Sequence, residues 1–193
     1  MTAYDHFAGD FGGHTADFSD ALTLFEVGAL LARGARAVGC EFFTEFPPSP
    51  TAGRRGRRID FVWAVRAHQP ENGRRWLPLA AFEVEGLDVP AGSLEQDVER
   101  LAELAHGEEI PMSVILYRTT ETGWMFWNPG PAPKAREDQL LELVRSRLAA
   151  RPPPCGSVEA VLDRELLQGK RLARWVDQAR TRFEALRLAG RLA

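Results

Sequence analysis

The chain has 193 residues, of which 45% are hydrophobic and 26% are charged, and its formal net charge at pH 7 is −3. This composition is ordinary for a soluble globular protein, and the length predicts one domain, or one domain with an appendage. The net charge gives no global sign of a nucleic-acid-binding protein.

The sequence also argues against a membrane or secreted protein. No run of about 18 apolar residues occurs, so no membrane span is predicted. The N-terminus lacks the basic and apolar regions of a secretory signal. Cys40 and Cys155 stand far apart, which predicts neither a zinc site nor a disulfide framework. We therefore expect a cytoplasmic protein.

The first elements follow a flexible lead-in, which the glycines of residues 1–16 predict. From Asp17 to about Ala37, apolar residues recur with a helical period, and Gly39 ends the pattern. This predicted helix carries Glu26. The alternating residues Glu41–Phe46 predict the first strand.

The loop at 47–58 concentrates positive charge directly before the next strand. It is rich in Pro and Gly and carries four arginines. The Arg guanidinium binds phosphate oxygens in pairs, so the loop predicts contacts with a phosphate backbone. A hairpin loop with solvated charge is the alternative. The arginines are Arg54, Arg55, Arg57 and Arg58.

Two short apolar runs, Ile59–Trp63 and Leu79–Glu85, each predict a buried strand. Each run also carries carboxylates where a buried strand should be apolar. Because side chains alternate between the faces of a strand, Glu83 and Glu85 share one face. Asp60 lies on the first run.

The Asn72-Gly73 turn signal predicts that these runs form a hairpin, pairing Ile59–Val65 with Trp76–Glu85. Asp60 would then lie beside the two glutamates. Three carboxylates at this spacing repel one another, and a buried charge costs several kcal/mol unless it is paired or bound to a metal. A divalent cation would relieve both costs.

A helix follows Pro90, with Ser93 as its predicted N-cap and with Leu94, Val98 and Leu101 on its apolar face. Its other face is predicted to carry three polar residues, Gln96, Asp97 and Arg100. Residues 111–118 predict a strand parallel to Leu79–Glu85, because a crossover helix joins the two.

The C-terminal part predicts a short strand at Trp124–Trp127, a helix at Lys134–Ala150 and a rigid spacer at residues 152–154. The tail from Ser157 is predicted to be helical, with a break near Gly169. Its apolar faces could pack on the core or form a homodimer, and its arginines could contact nucleic acid. Packing or dimerisation is the preferred interpretation.

The carboxylate pattern resembles the PD-(D/E)xK nuclease superfamily, which has the restriction-endonuclease-like fold. The family carries an Asp at the start of one strand and (Asp/Glu)-x-Lys on the next. Asp60 matches the first part and Glu83-Val84-Glu85 the second, with Glu85 at the Lys position. The resemblance covers roughly Asp17 to Trp127.

The resemblance implies an α/β fold with a mixed sheet, an α-β-β-β-α-β core at 17–150 and a helical extension at 151–193. It also implies a metal-dependent endonuclease that acts on DNA. Mg²⁺ or Mn²⁺ would be held by Asp60, Glu83 and the helical Glu26. Glu85 would act as a general base or an extra ligand, while Gln96 and Arg100 match helix positions that contact the scissile phosphate.

Two alternatives remain beside an active nuclease. The first is a catalytically inactive relative that binds nucleic acid or a protein partner, which the Glu at the Lys position favours. The second is an unrelated α/β domain in which Glu83 and Glu85 lie in water at a sheet edge.

Overall fold

The computed structural model describes residues 15–49, 58–71, 73–86, 91–105, 108, 110–117, 158–162, 166 and 169–193. These residues form three helices and five strands: α1 (Thr15–Val38), β1 (Glu41–Phe46), β2 (Ile59–Glu71), β3 (Arg74–Gly86), α2 (Ala91–Ala105), β4 (Met112–Tyr117), β5 (Val158–Leu162) and α3 (Lys170–Leu188). The predicted α/β class with a mixed sheet is confirmed. Among the described residues, no helix is both long enough and apolar enough to cross a membrane.

The five strands form one sheet in the order β1-β2-β3-β4-β5. The first three strands are antiparallel neighbours, whereas β4 runs parallel to β3 and β5 runs parallel to β4. The predicted parallel step across α2 is thereby confirmed. β3 is the central strand, so side chains on it are the furthest from a sheet edge.

The β2–β3 hairpin has the predicted pairing but is longer than the sequence suggested. Each of its strands has 13 residues, and the pair Glu71↔Arg74 closes it. Gly73 has a φ of 77°, a conformation that an Asn-Gly turn favours. The pairing is irregular near the turn, because its register shifts between Arg66 and Glu71 and again between Trp63 and Ala64.

Helices cover both faces of the sheet. On one face α2 buries an apolar stripe that includes Leu94, Val98 and Leu101 against Val62 and Ala81. The opposite face packs against α1 and α3, through residues that include Val27, Leu31, Trp175 and Ala179. The described residues therefore form three layers, with the sheet in the middle.

The tail differs from its prediction, because residues 158–162 form β5 instead of a helix. A five-residue apolar run cannot be assigned by periodicity alone, and here the free edge of β4 decides its conformation. The predicted break is confirmed, since Gly169 has a φ of 80° and immediately precedes α3. This segment is thus not purely helical, and its strand and helix share the sheet and the core.

Other predicted elements lie outside the described residues. These are residues 1–14 of the lead-in, Trp124–Trp127, Lys134–Ala150 and the spacer at 152–154. Dimerisation through the C-terminal helices stays a prediction.

Gly34 lets α1 approach the sheet closely. A Cβ atom at this position would lie 2.6 Å from Trp63 Cη2 and 2.8 Å from Leu172 Cδ1. We expect Gly34→Ala to lower the free energy of unfolding by about 1–3 kcal/mol, because overpacking forces the neighbours to move.

Gly92→Ala is the matched control in α2, where an added Cβ has no neighbour within 4 Å. Since Ala favours helix, that variant should gain about 0.5 kcal/mol. Urea unfolding measures both changes, and equal effects would contradict the close packing.

Candidate active site

The hairpin places Asp60 and Glu83 together, as the sequence predicted. Phe61 pairs with Phe82, so the next step of the antiparallel register sets Asp60 opposite Glu83. Both residues lie on the sheet face that packs against α2, because Val62 and Ala81 of that face precede or follow them by two positions. Only 1% of Glu83 is exposed. The alternative that placed Glu83 in water at a sheet edge is therefore wrong.

Each carboxylate of this pair accepts a hydrogen bond from the backbone of the opposite strand. The Asp60 N–H donates to Glu83 Oε2 at 3.2 Å, and the Val84 N–H donates to Asp60 Oδ2 at 2.8 Å. Backbone donors fix these two side chains at one end of the hairpin, so the carboxylates are held in a defined position.

Helix α2 adds Asp97 and Arg100 to the two strands. Arg100 Nε donates to Glu83 Oε1 at 2.8 Å, and Arg100 Nη2 donates to Asp97 Oδ1. Asp97 is 2% exposed, and its Oδ2 has no hydrogen-bond partner among the described residues. A buried carboxylate oxygen without a hydrogen-bond donor costs free energy of folding. A proton or a cation bound to Asp97 Oδ2 would lower that cost.

Sequence reasoning placed Asp97 on the polar face of α2, which the structure contradicts. Asp97 lies three residues after Leu94 and four before Leu101, and both of those residues are buried. An aspartate at this spacing falls inside the apolar stripe of the helix. The spacing of Asp97 from these two leucines is therefore the sequence feature that indicates its buried position.

Burial and mutual repulsion raise the pKa of each strand carboxyl. Burial raises the pKa of Glu83 to about 9, and the charge of Asp60 adds to the effect while Arg100 opposes it. Burial likewise raises the pKa of Asp60 to about 6, against the hydrogen bond from the Val84 backbone. One guanidinium does not offset the carboxylates that surround it.

Glu85 joins the cluster through Asp97. Burial raises the pKa of Glu85 to about 8, and the neighbouring Asp97 raises it further. Fully ionised, the four carboxylates facing Arg100 would carry three uncompensated negative charges.

The donor set has the chemistry of a site for a hard cation. All its ligand atoms are carboxylate oxygens, which Mg²⁺ and Mn²⁺ prefer, and one of them lacks a partner. Within the part of the chain that the structure describes, no group of three or more His, Cys, Asp or Glu side chains has the arrangement of a formed metal site. The residues fit a divalent cation by charge and by ligand type.

The described contacts of this cluster do not include the other predicted site residues. Glu26 and Gln96 are exposed, and among the described residues no hydrogen bond or ion pair joins Glu26 to the cluster. Arg58 Nη1 donates to the Glu45 carbonyl oxygen at 3.3 Å. Three predicted phosphate contacts lie outside the described residues, namely Arg54, Arg55 and Arg57. The metal role of Glu26 and the phosphate roles of these residues stay predictions.

No family model, no curated protein and no solved structure matches the chain. We therefore infer function from the geometry and chemistry of the cluster, together with the resemblance of its sequence pattern to the PD-(D/E)xK nucleases.

The raised pKa values predict that the metal-free protein loses stability as pH rises. Between the ordinary and the raised pKa of a carboxyl, the folded state binds more protons than the unfolded state, so the free energy of unfolding falls with pH. One such group contributes about 1.4 kcal/mol per pH unit. In EDTA we expect the melting temperature to fall from pH 6 to pH 9, because this range lies between the ordinary pKa of 4.5 and the raised pKa of about 9 for Glu83, and its first part lies below the raised pKa of about 8 for Glu85.

Glu83→Gln is the matched variant for this measurement, because it removes one titrating group and keeps the size of the side chain. We expect a shallower loss of stability with pH in the variant, and a higher melting temperature than wild type at pH 9. A wild-type stability that stays flat or rises over this range would contradict the raised pKa values.

Proposed function

We propose that the protein is a metal-dependent nuclease that hydrolyses phosphodiester bonds of DNA. The observation that carries the proposal is the carboxylate cluster of β2, β3 and α2, in which Glu83 and Asp97 are buried. Among the described residues, Asp97 Oδ2 has no hydrogen-bond partner, and Arg100 is the one guanidinium that binds the cluster. A protein keeps buried charges of one sign at a cost in stability, so such a cluster points to a functional site.

The order of the elements supports the proposal. A helix, three antiparallel strands, a second helix and a parallel strand follow one another from α1 to β4. This order resembles the α-β-β-β-α-β core of the PD-(D/E)xK nucleases. Asp60 and Glu83 also lie on the two strands where that family carries its acidic residues.

The proposed roles follow from the contacts of each residue. Asp60 and Glu83 hold Mg²⁺ or Mn²⁺, with Glu26 as a further candidate ligand from α1. When bound, such an ion would supply positive charge that polarises the phosphate and makes the attacking water more acidic. Glu85 accepts a proton from the attacking water, and its raised pKa suits a general base near neutral pH. The phosphorus gains the water oxygen, and the bond to the leaving oxygen breaks.

Arg100 supplies the positive charge that a Lys at position 85 would have supplied. It already binds Glu83 and Asp97 and is 14% exposed. These contacts favour a role in positioning Glu83 over the direct phosphate contact predicted from sequence.

A catalytically inactive module that binds nucleic acid or a protein is the second candidate. The observation that favours it is the same ion-pair network, because Arg100 occupies positions on Glu83 and Asp97 that could otherwise face a cation. Glu85 in place of the family Lys favours it as well.

A cleavage assay separates the two candidates. Supercoiled plasmid, linear duplex DNA, single-stranded DNA and RNA are incubated with the protein in Mg²⁺, in Mn²⁺ and in EDTA. The nuclease proposal expects cutting of DNA that requires the metal. Failure to cut any substrate, by protein that is folded, would overturn the nuclease proposal and leave the binding module. Cutting that persists in EDTA would also contradict it.

A further inference from the structure

A pocket of about 320 Å³ lies between β1 and the turn end of β3, and its β1 side includes Glu45, which lies close to Asp60 of the carboxylate cluster. Its aromatic wall consists of Phe43, Phe46 and Trp76. Phe43 and Trp76 pack against the core on the α2 side of the sheet, which is also the side of Asp60 and Glu83. The pocket and the cluster therefore open on the same face.

The core holds the aromatic wall in place. The Phe43 ring lies 5.0 Å from the Trp76 ring and 5.3 Å from the Phe46 ring, centroid to centroid, and both pairs meet at 64°. These edge-to-face contacts are a preferred geometry for aromatic pairs. Because the rings pack on one another and on the core, the wall is formed before a ligand binds.

Charged residues connect the pocket to the cluster. Glu45 lines the pocket, and its charge is close enough to Asp60 to add to the raised pKa of that carboxyl. Arg58 donates to the Glu45 carbonyl, and the exposed Arg75 lines the other side. A ligand in the pocket would thus have Arg75 on one side, and Arg58 and Asp60 near Glu45 on the other.

The backbone of β1 is strained on the side of the pocket nearest Asp60. Glu45 has a φ of 52°, a left-handed conformation that residues other than glycine rarely adopt. Such conformations cost stability and concentrate at ligand sites. The pairing of β1 with β2 keeps one register on both sides of Glu45, so the strain is local to this residue.

We propose that this pocket binds one unstacked nucleobase of the nucleic-acid strand whose phosphate faces the carboxylate cluster. This inference rests on the proposed nuclease function. The volume is near the lower end of the range for ligand pockets, about 300–1,000 Å³, and suits a flat ring system. Aromatic side chains stack on bases of any sequence, and arginines beside them neutralise the backbone phosphates.

The test compares a fluorescent single-stranded DNA with an abasic strand of the same length, in EDTA, where the metal-dependent reaction is stopped. Fluorescence anisotropy gives the dissociation constant of each strand. Repulsion from the carboxylates acts on both strands alike, so the ratio of the two constants reports the bases. We expect wild type to bind the base-bearing strand about tenfold more tightly, as the loss of one stacked base implies.

Phe43→Leu and Phe42→Leu form a matched pair of variants on adjacent positions of β1. Phe42 packs on the opposite face, where its ring stacks on Phe61 at 5.5 Å. Both variants should lose a comparable amount of stability, which urea unfolding measures. Only Phe43→Leu should bring the ratio of the two constants close to one, while Phe42→Leu should keep the wild-type ratio.

Several outcomes overturn the pocket proposal: equal affinity of wild type for the two strands, no binding of either strand, or an unchanged ratio in Phe43→Leu. Each is distinct from failure of the nuclease proposal, which the cleavage assay measures separately. A protein that cuts DNA without preferring the base-bearing strand is a nuclease without a base pocket. A protein that shows the preference and its loss in Phe43→Leu, but does not cut, has the pocket and is a binding module.

Discussion

Replacing Asp60 by Asn is expected to lower the rate of Mg²⁺-dependent DNA cleavage by at least about 1,000-fold, or about 4 kcal/mol of transition-state stabilisation. The amide keeps the size of the side chain and an oxygen that can accept the Val84 N–H bond at 2.8 Å. It removes the negative charge that would hold the cation. Single-turnover cleavage of a labelled duplex measures the rate.

Stability provides the internal control for this variant. Asp60 is a half-buried carboxyl, and burial raises its pKa to about 6, so its charge is unfavourable in the metal-free fold. In EDTA near pH 8 we therefore expect Asp60→Asn to melt at a higher temperature than wild type while being inactive, a trade-off that functional charges often show. Asp177→Asn, at an exposed carboxylate of α3, should leave both properties unchanged. Full activity in Asp60→Asn would mean that the site is placed wrongly.

Replacing Trp175 by Ala is expected to lower the free energy of unfolding by about 3–5 kcal/mol. Trp175 is 1% exposed, and its ring centroid lies 5.0 Å from that of Phe82 on the central strand. The change would leave a cavity between α3 and the sheet. Denaturation in urea, followed by circular dichroism, measures the loss.

Leu188→Ala is the matched control on the same helix, because 78% of Leu188 is exposed. It should change the free energy of unfolding by no more than about 0.5 kcal/mol. A small effect of Trp175→Ala would indicate that α3 is an appendage that packs loosely, as a separate extension would.

The hairpin and its carboxylates could be predicted because local signals agree there. The Asn72-Gly73 signal predicted a hairpin, and alternation along β3 separated the face of Glu83 from that of Phe82. The sequence could therefore place Asp60 beside the two glutamates. It could not show that Asp60 faces Glu83, because the register shifts twice between the turn and Asp60. These contacts depend on residues close in sequence and on one tight turn.

The predicted position of Asp97 was wrong because the prediction followed the residue type and not the position of the residue along the helix. An aspartate was assigned to the polar face, although its spacing from Leu94 and Leu101 put it on the buried stripe. The fold tolerates it there because Arg100, one turn further along the helix, binds one of its oxygens. A charged residue inside the apolar stripe of a helix, such as Asp97, indicates a functional site.

The strand β5 was missed for a different reason. Its residues, Val158–Leu162, are apolar enough for a helix or a strand, and only pairing with β4 selects the strand. That pairing joins residues distant in sequence, so no local signal encodes it. The position of Glu26 on an exposed part of α1 is likewise a tertiary property.

If the carboxylate cluster is a cation site, the metal-free protein should bind Mn²⁺. Calorimetric titration near neutral pH, in two buffers of different ionisation enthalpy, measures this binding. Because burial raises the pKa of Glu83 to about 9 and that of Glu85 to about 8, we expect binding to release protons, seen as a heat that depends on the buffer. Glu83→Gln should weaken binding and release fewer protons. No heat of binding in wild type, or binding that is unchanged in the variant, would show that the cluster is not a cation site.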